Sequence, residues 1–147
     1  MPKNLNNVSN GYMGAWNAAH VILTINGHVI QGFGQDDMVN ISYTEDRQSF
    51  KQDPQGSFTK NVNNKTGATV TVNLDQMSPC RLQLAELLDN LDNFSLDYRD
   101  DAEHYATQYA FVNKDPDYQA GNTSGNRAWT ITCLGLNHDT VAGNGEY

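Results

Sequence analysis

The chain has 147 residues, 38% of them hydrophobic and 18% charged, with seventeen acidic side chains against nine basic ones for a net charge of −8. That length buries a sizeable core without help from disulfides or metal, and so little charge beside 10% aromatic residues excludes a disordered chain. A nucleic-acid binder is excluded too, because gripping phosphates takes clustered cations that displace condensed counterions, and no such cluster occurs.

The sequence predicts a single domain over residues 1–147. Residues 1–17 are Asn- and Gly-rich and read as a polar N-terminal arm, without the apolar segment of a signal peptide. His20 to Ile25 and His28 to Phe33 flank Asn26-Gly27, the strongest short-range signal for a β-hairpin. A strand is predicted from Met38 to Tyr43. Residues 45–65 are polar, mixed in charge and punctuated by Asp53-Pro54 and Gly56, which predicts a long loop of the kind that binds or assembles. Thr69, Thr71 and Asn73 then alternate with Val70, Val72 and Leu74, the period-2 pattern of a half-buried strand.

Ser78-Pro79 is a helix start, with Ser at the cap and Pro at the first helical position. Leu84, Leu87, Leu88 and Leu91 follow at i, i+3, i+4 and i+7, with Leu82 and Ala85 alongside, as an apolar stripe. Strands are predicted at Phe94–Arg99, Tyr105–Asn113 and Trp129–Leu136, with a Gly/Asn/Asp loop over 114–127 and a polar C-terminal tail over 137–147. The expected fold is mainly β, with six or seven strands. It is an antiparallel β-sandwich or flattened barrel with one flanking α-helix at about residues 79–92.

Catalytic chemistry finds no support in these residues. The acidic run Asp89, Asp92, Asp97, Asp100, Asp101 and Glu103 lacks the alternating ligands, Gly and distant Glu of a calcium loop, and reads as a solvated face. His20, His28, His104 and His138 are far apart, with no Cys or Asp at zinc-ligand spacing. Neither a Gly-x-Ser-x-Gly elbow nor a phosphate-cradling loop occurs. Tyr105, Tyr109 and Phe111 share strand parity with Thr107, so packing within a sheet accounts for them better than a carbohydrate platform does. Cys80 and Cys133 allow one disulfide, but as isolated cysteines in predicted buried elements they read first as small hydrophobes. No catalytic residue, cofactor or metal site is expected, and no apolar run is long enough to span a bilayer.

One segment says more. Lys65 to Leu91, with its Thr/Val strand, Gln-Met-Ser-Pro turn and Leu-rich helix, resembles the middle of bacteriophage tail tube proteins from contractile tails. The flanks are similar as well: Val21 to Ile30 with Gly32-Phe33-Gly34 resembles the first hairpin of that family, and Gly56 to Thr59 with Asn63 to Gly67 its glycine-containing loop. The resemblance spans roughly residues 18 to 92. It implies a non-enzymatic subunit that self-assembles into stacked rings of six, whose sheets join into a continuous inner barrel carrying DNA into a host.

Its implied partners are further copies of itself, the tail sheath, the baseplate and tail-terminator proteins, with genomic DNA passing through unbound and no membrane. Its implied location is the virion tail, after assembly in the host cytoplasm. The residues expected to make contacts between subunits are Arg47, Phe50, Lys51, Asp53, Phe58 and Lys60 of the 45–65 loop. The alternatives are a tube subunit of a phage-tail-like bacteriocin or contractile injection system, or a monomeric β-sandwich that binds a ligand.

Overall fold

The computed structural model of the chain describes residues 13–35 and 37–140. The first twelve residues of the expected arm and the last seven of the expected tail lie outside the described residues. Ten strands and one α-helix are described: β1 (Ile22–Ile25), β2 (His28–Val29), β3 (Val39–Tyr43), β4 (Gln48–Gln52), β5 (Phe58–Val62), β6 (Ala68–Asp75), α1 (Cys80–Asp89), β7 (Phe94–Arg99), β8 (Glu103–Val112), β9 (Asn126–Cys133) and β10 (Asn137–Thr140). Eight strands form one antiparallel sheet in the order β2-β1-β7-β8-β9-β6-β3, with β10 added along β8, and β4 and β5 pair only with each other. The chain is mainly β with one flanking helix, as expected, and the sheet does not close into a barrel.

Local chemistry sets most of these elements. Asn26 (φ +52°) and Gly27 (φ +81°) both occupy the left-handed region that a two-residue hairpin turn requires, and they join β1 to β2. In β6, Ala68, Val70, Val72 and Leu74 are buried while the intervening residues are half-buried, so the period-2 pattern does set one face inward. Trp129, Ile131 and Cys133 of β9 line up beside them through the pairs Val72–Trp129, Val70–Ile131 and Ala68–Cys133. Leu23 and Ile25 of β1, Leu96 and Tyr98 of β7, and Leu84 of α1 complete the core. Each Leu or Ile buried this fully contributes about 1.5–3 kcal/mol.

The helix begins one residue later than expected, at Cys80 with Pro79 in the cap position, and ends sooner. Ser78 Oγ accepts the Cys80 N–H at 3.3 Å and donates to the Gln31 carbonyl at 2.5 Å, so one hydroxyl caps α1 and ties it to the segment after β2. Gly32, at φ +76°, makes this approach possible: a Cβ there would lie 2.7 Å from Ser78 Oγ. Leu84 is fully buried and Leu87 and Leu88 partly so, but Leu82 points to solvent and Leu91 lies beyond the helix, 84% exposed. Leu91 adopts φ +56° and donates to the Leu88 carbonyl, while Asp92 donates to that of Leu87. This is a Schellman ending with leucine where glycine is usual.

Three other expectations change. The 45–65 stretch is not a loop but holds the β4–β5 hairpin. The C-terminal tail starts as β10, which extends the β9 ladder along β8 without a change of register: Cys133 faces Ala110 and Asn137 faces Ala106. An irregularity between β7 and β8 reverses the inward parity of β8. Thr107 is buried there, its hydroxyl exchanging 3.3 Å bonds with the backbone of Tyr109, and Ala110 and Val112 follow inward. Tyr109 therefore points to solvent instead of packing with Thr107. Cys80 and Cys133 are both buried and unpaired.

Candidate assembly surface

β4 and β5 stand apart from the main sheet, and all ten of their residues are exposed. The register pairs Gln48 with Val62, Phe50 with Lys60 and Gln52 with Phe58. Since side chains alternate across a strand, Gln48, Phe50, Gln52, Phe58, Lys60 and Val62 share one face. Ser49, Lys51, Thr59 and Asn61 share the other, which is wholly polar. The first face carries an apolar ridge: Phe50 is 69% exposed, Phe58 67% and Val62 63%. A two-stranded ribbon is only marginally stable in water, so a hairpin with its apolar side bare has the make-up of an element that packs on something else.

The ends of the ribbon are firmly built. At the tip, Asp53 Oδ1 accepts the N–H groups of Gln55 (2.9 Å) and Ser57 (2.8 Å), Gly56 donates to the Asp53 carbonyl at 3.0 Å, and Gly56 takes φ +94°. At the root, Asn63 donates to the Arg47 carbonyl at 2.8 Å, and Thr44 closes on the Gly67 carbonyl through its N–H and its hydroxyl. Tyr43, which ends β3, donates its hydroxyl to the Leu136 carbonyl at 3.1 Å, and burial raises its pKa above the ordinary value.

Of the six residues expected at a subunit contact, the structure thus brings Phe50, Phe58 and Lys60 to one face. Lys51 lies on the opposite face. Asp53 spends its carboxylate inside the turn, and Arg47 sits at the root beside Tyr43, Thr66 and His138.

The acidic run divides in two. Asp89 and Asp92 lie at the end of α1. The remaining carboxylates flank the β7–β8 turn, where histidines meet them in a way that sequence spacing could not signal, the partners lying as many as 81 residues apart. His20 Nδ1 lies 2.8 Å from Asp101 Oδ1, and the Asn17 N–H reaches Asp101 Oδ2 at 2.9 Å. These bonds, the backbone one foremost, hold the Asp101 carboxyl below its usual range. His104 Nε2 lies 3.0 Å from Asp97 Oδ1. His138 pairs with Glu103 and stacks on Tyr105, their ring centroids 4.4 Å apart. The turn therefore fastens the Asn17–His20 segment on one side and β10 on the other. Among the described residues, no three His, Cys, Asp or Glu side chains converge as metal ligands would.

No family model matches the sequence, and no curated protein sequence does. Solved structures do resemble it. The chain superposes on one from the anti-feeding prophage cap, described as its tube-terminating cap, with a TM-score of 0.61 and 11% identity over 92% of this chain and 99% of that one. A chain of the sheath–tube complex of the extracellular contractile injection system PVC, in the extended state, gives 0.61 and 14% identity over 86% and 93%. The sheath/tube terminator of the same system gives 0.62 and 12% over 86% and 98%. The fold is thus shared, over nearly the whole length of those chains, with the anti-feeding prophage cap and with components of a contractile injection system, in keeping with the tube-type resemblance of the Thr/Val strand and Ser-Pro-capped helix.

Proposed function

We propose that this chain is a structural subunit of the tube of a contractile, phage-tail-like particle, and that it assembles into stacked rings through the β4–β5 hairpin. The observation that carries the proposal is the hairpin: a firmly closed ribbon whose Phe50, Phe58 and Val62 face solvent together. The tube-type fold supplies the context. A head-to-tail contact of this sort generates closed rings or open stacks according to its rotation. In this reading, as the family resemblance implies, each ring is a hexamer and the particle a phage tail with DNA passing through; a bacteriocin or injection system would use the same subunit for other cargo. A net charge of −8 suits a channel wall that phosphates slide along without sticking. The role is non-enzymatic, and sheath and terminator proteins are its natural neighbours in such a particle.

Negative-stain microscopy and light scattering of the purified protein test this. Stacked rings or hollow tubes from the wild type, and folded monomers from Phe50→Asp and Phe58→Asp, are the expected results. A wild type that stays monomeric at high concentration, or variants that still form intact tubes, would sink the assignment.

A second reading has a specific observation behind it, because two of the structures named above are described as a tube-terminating cap and a sheath/tube terminator. A terminal component closes a stack instead of extending it. It would give single rings that do not grow with concentration and that shorten tubes formed by a partner subunit.

A further inference from the structure

The end of α1 is electrostatically the wrong way round. A helix C-terminus carries partial negative charge from its free carbonyls and favours a cation. Here the last turn holds no basic residue, Glu86 and Asp89 lie in it, and Asp92 follows. No Lys or Arg occurs between Arg81 and Arg99. Beside this end, between α1 and the β1–β2 hairpin, runs a groove of about 210 Å³. Ile25, Ile30, Leu84 and Leu87 line it, with two carboxylates, Glu86 and Asp92, and one imidazole, His28, also in its wall. Leu91, held exposed in the left-handed region, sits between the lining residues Asn90 and Asp92.

The chain contains a segment that matches these needs. Residues 45–65 hold four of the nine basic side chains, Arg47, Lys51, Lys60 and Lys65, against three acidic ones, and net +1. The whole chain is at −8, which leaves −9 on the other residues. On the apolar face of the ribbon, Lys60 stands directly opposite Phe50 and next to Phe58. A lysine ammonium has three hydrogens to donate and accepts none.

We propose that the groove between α1 and the β1–β2 hairpin receives the β4–β5 hairpin of a second copy of this chain. Lys60 then brings an ammonium to Glu86 and Asp92 in the groove wall, and the phenylalanine ridge covers Leu91. The contact is heterologous, a basic apolar ribbon in an acidic groove, so each copy offers one ribbon and one groove and the chain can propagate. This rests on the tube-subunit reading and adds to it the surface on which the hairpin lands.

Charge exchange tests the pairing. Lys60→Glu alone, and Glu86→Lys with Asp92→Lys, should each raise the protein concentration needed for assembly about tenfold. Combining the three substitutions should bring it back to within about threefold of wild type. Circular dichroism and Tm confirm that each variant folds. An otherwise native chain carrying Phe58→Cys and Leu91→Cys should give a reducible ladder of covalent oligomers once assembled.

If that chain assembles without cross-linking, or the combined variant is no better than Lys60→Glu, while Phe50→Asp still abolishes assembly, the hairpin docks elsewhere. The inference then falls and the tube reading stands. If Phe50→Asp and Lys60→Glu both assemble as wild type does, both fall.

Discussion

Phe50 and Phe58 lie diagonally across the β4–β5 ladder with ring centroids 6.0 Å apart and planes tilted by 52°, and each is about two-thirds exposed. An aromatic pair of this geometry contributes ~0.5–1.5 kcal/mol beyond its area. Phe50→Ala should therefore loosen the ribbon and leave the core of the unassembled protein intact. Hydrogen exchange of the amides in 48–62 should rise severalfold in the unassembled protein while its Tm stays within about 1–2 °C. A fall in global stability of 2 kcal/mol or more would mean that the ribbon belongs to the core.

Leu91 places a side chain at φ +56°, where an L-residue is strained by about 1 kcal/mol relative to glycine. Since Leu91 is 84% exposed, removing its side chain takes little from the core. Leu91→Gly should raise the unfolding free energy of the monomer by ~0.5–1 kcal/mol in urea titrations. The same substitution should weaken assembly if the groove beside Leu91 receives the hairpin. A gain in stability paired with a loss of assembly is the outcome expected of a residue kept for contact.

Gly32 is the opposite case. Its φ of +76° and the 2.7 Å from a would-be Cβ to Ser78 Oγ leave no room for alanine. Gly32→Ala should cost about 2–4 kcal/mol, from backbone strain together with displacement of the Ser78 hydroxyl that caps α1. Calorimetry of the variant against wild type checks this. A shift of less than 1 kcal/mol would show that Ser78 moves aside freely.

The titration of buried groups predicts alkaline sensitivity. Burial pushes the Cys133 thiol from its ordinary 9.0 up to about 11, and it raises Tyr98 further above its ordinary 10.0, with the Tyr98 hydroxyl donating to Asp100. A pKa raised in the folded state means stability that is complete below the unfolded value and is lost as pH climbs through the folded one. The urea midpoint should thus hold steady up to about pH 9 and fall above it. Cys133 should resist alkylation at pH 8 until the chain unfolds, as a buried neutral thiol does.

Asp101 runs the other way. Its carboxyl is held below the ordinary 3.8 by the Asn17 N–H and by His20, so its contribution is present above that value and is lost as pH falls through the lowered one. Asp101→Ala, which removes both acceptor oxygens, should free the Asn17–His20 segment at neutral pH without unfolding the domain. Faster amide exchange at Asn17 and Ala19, with an unchanged Tm, is the measurement that checks it.

How far the sequence goes is clearest at particular residues. Asn26-Gly27, the Val70–Val72–Leu74 alternation and Ser78-Pro79 each state a conformation through local chemistry: two positive φ angles, a period of two, a cap. Those elements stand where sequence places them. The tube-type likeness follows from their order. Tyr109 shows the limit, since strand parity is a local rule and the irregularity that reverses it arises only where β7 and β8 align. The residues 45–65 show another, because no pattern in that polar stretch says that Phe50 and Phe58 meet on one face; only the pairing of Phe50 with Lys60 decides it. His20 with Asp101 and Tyr43 with Leu136 belong to the same class. Composition and periodicity act over a few residues and determine what each segment becomes. Partners far apart in the chain meet only once the sheet has set its register, so the face that could bind a neighbour belongs to the tertiary structure alone.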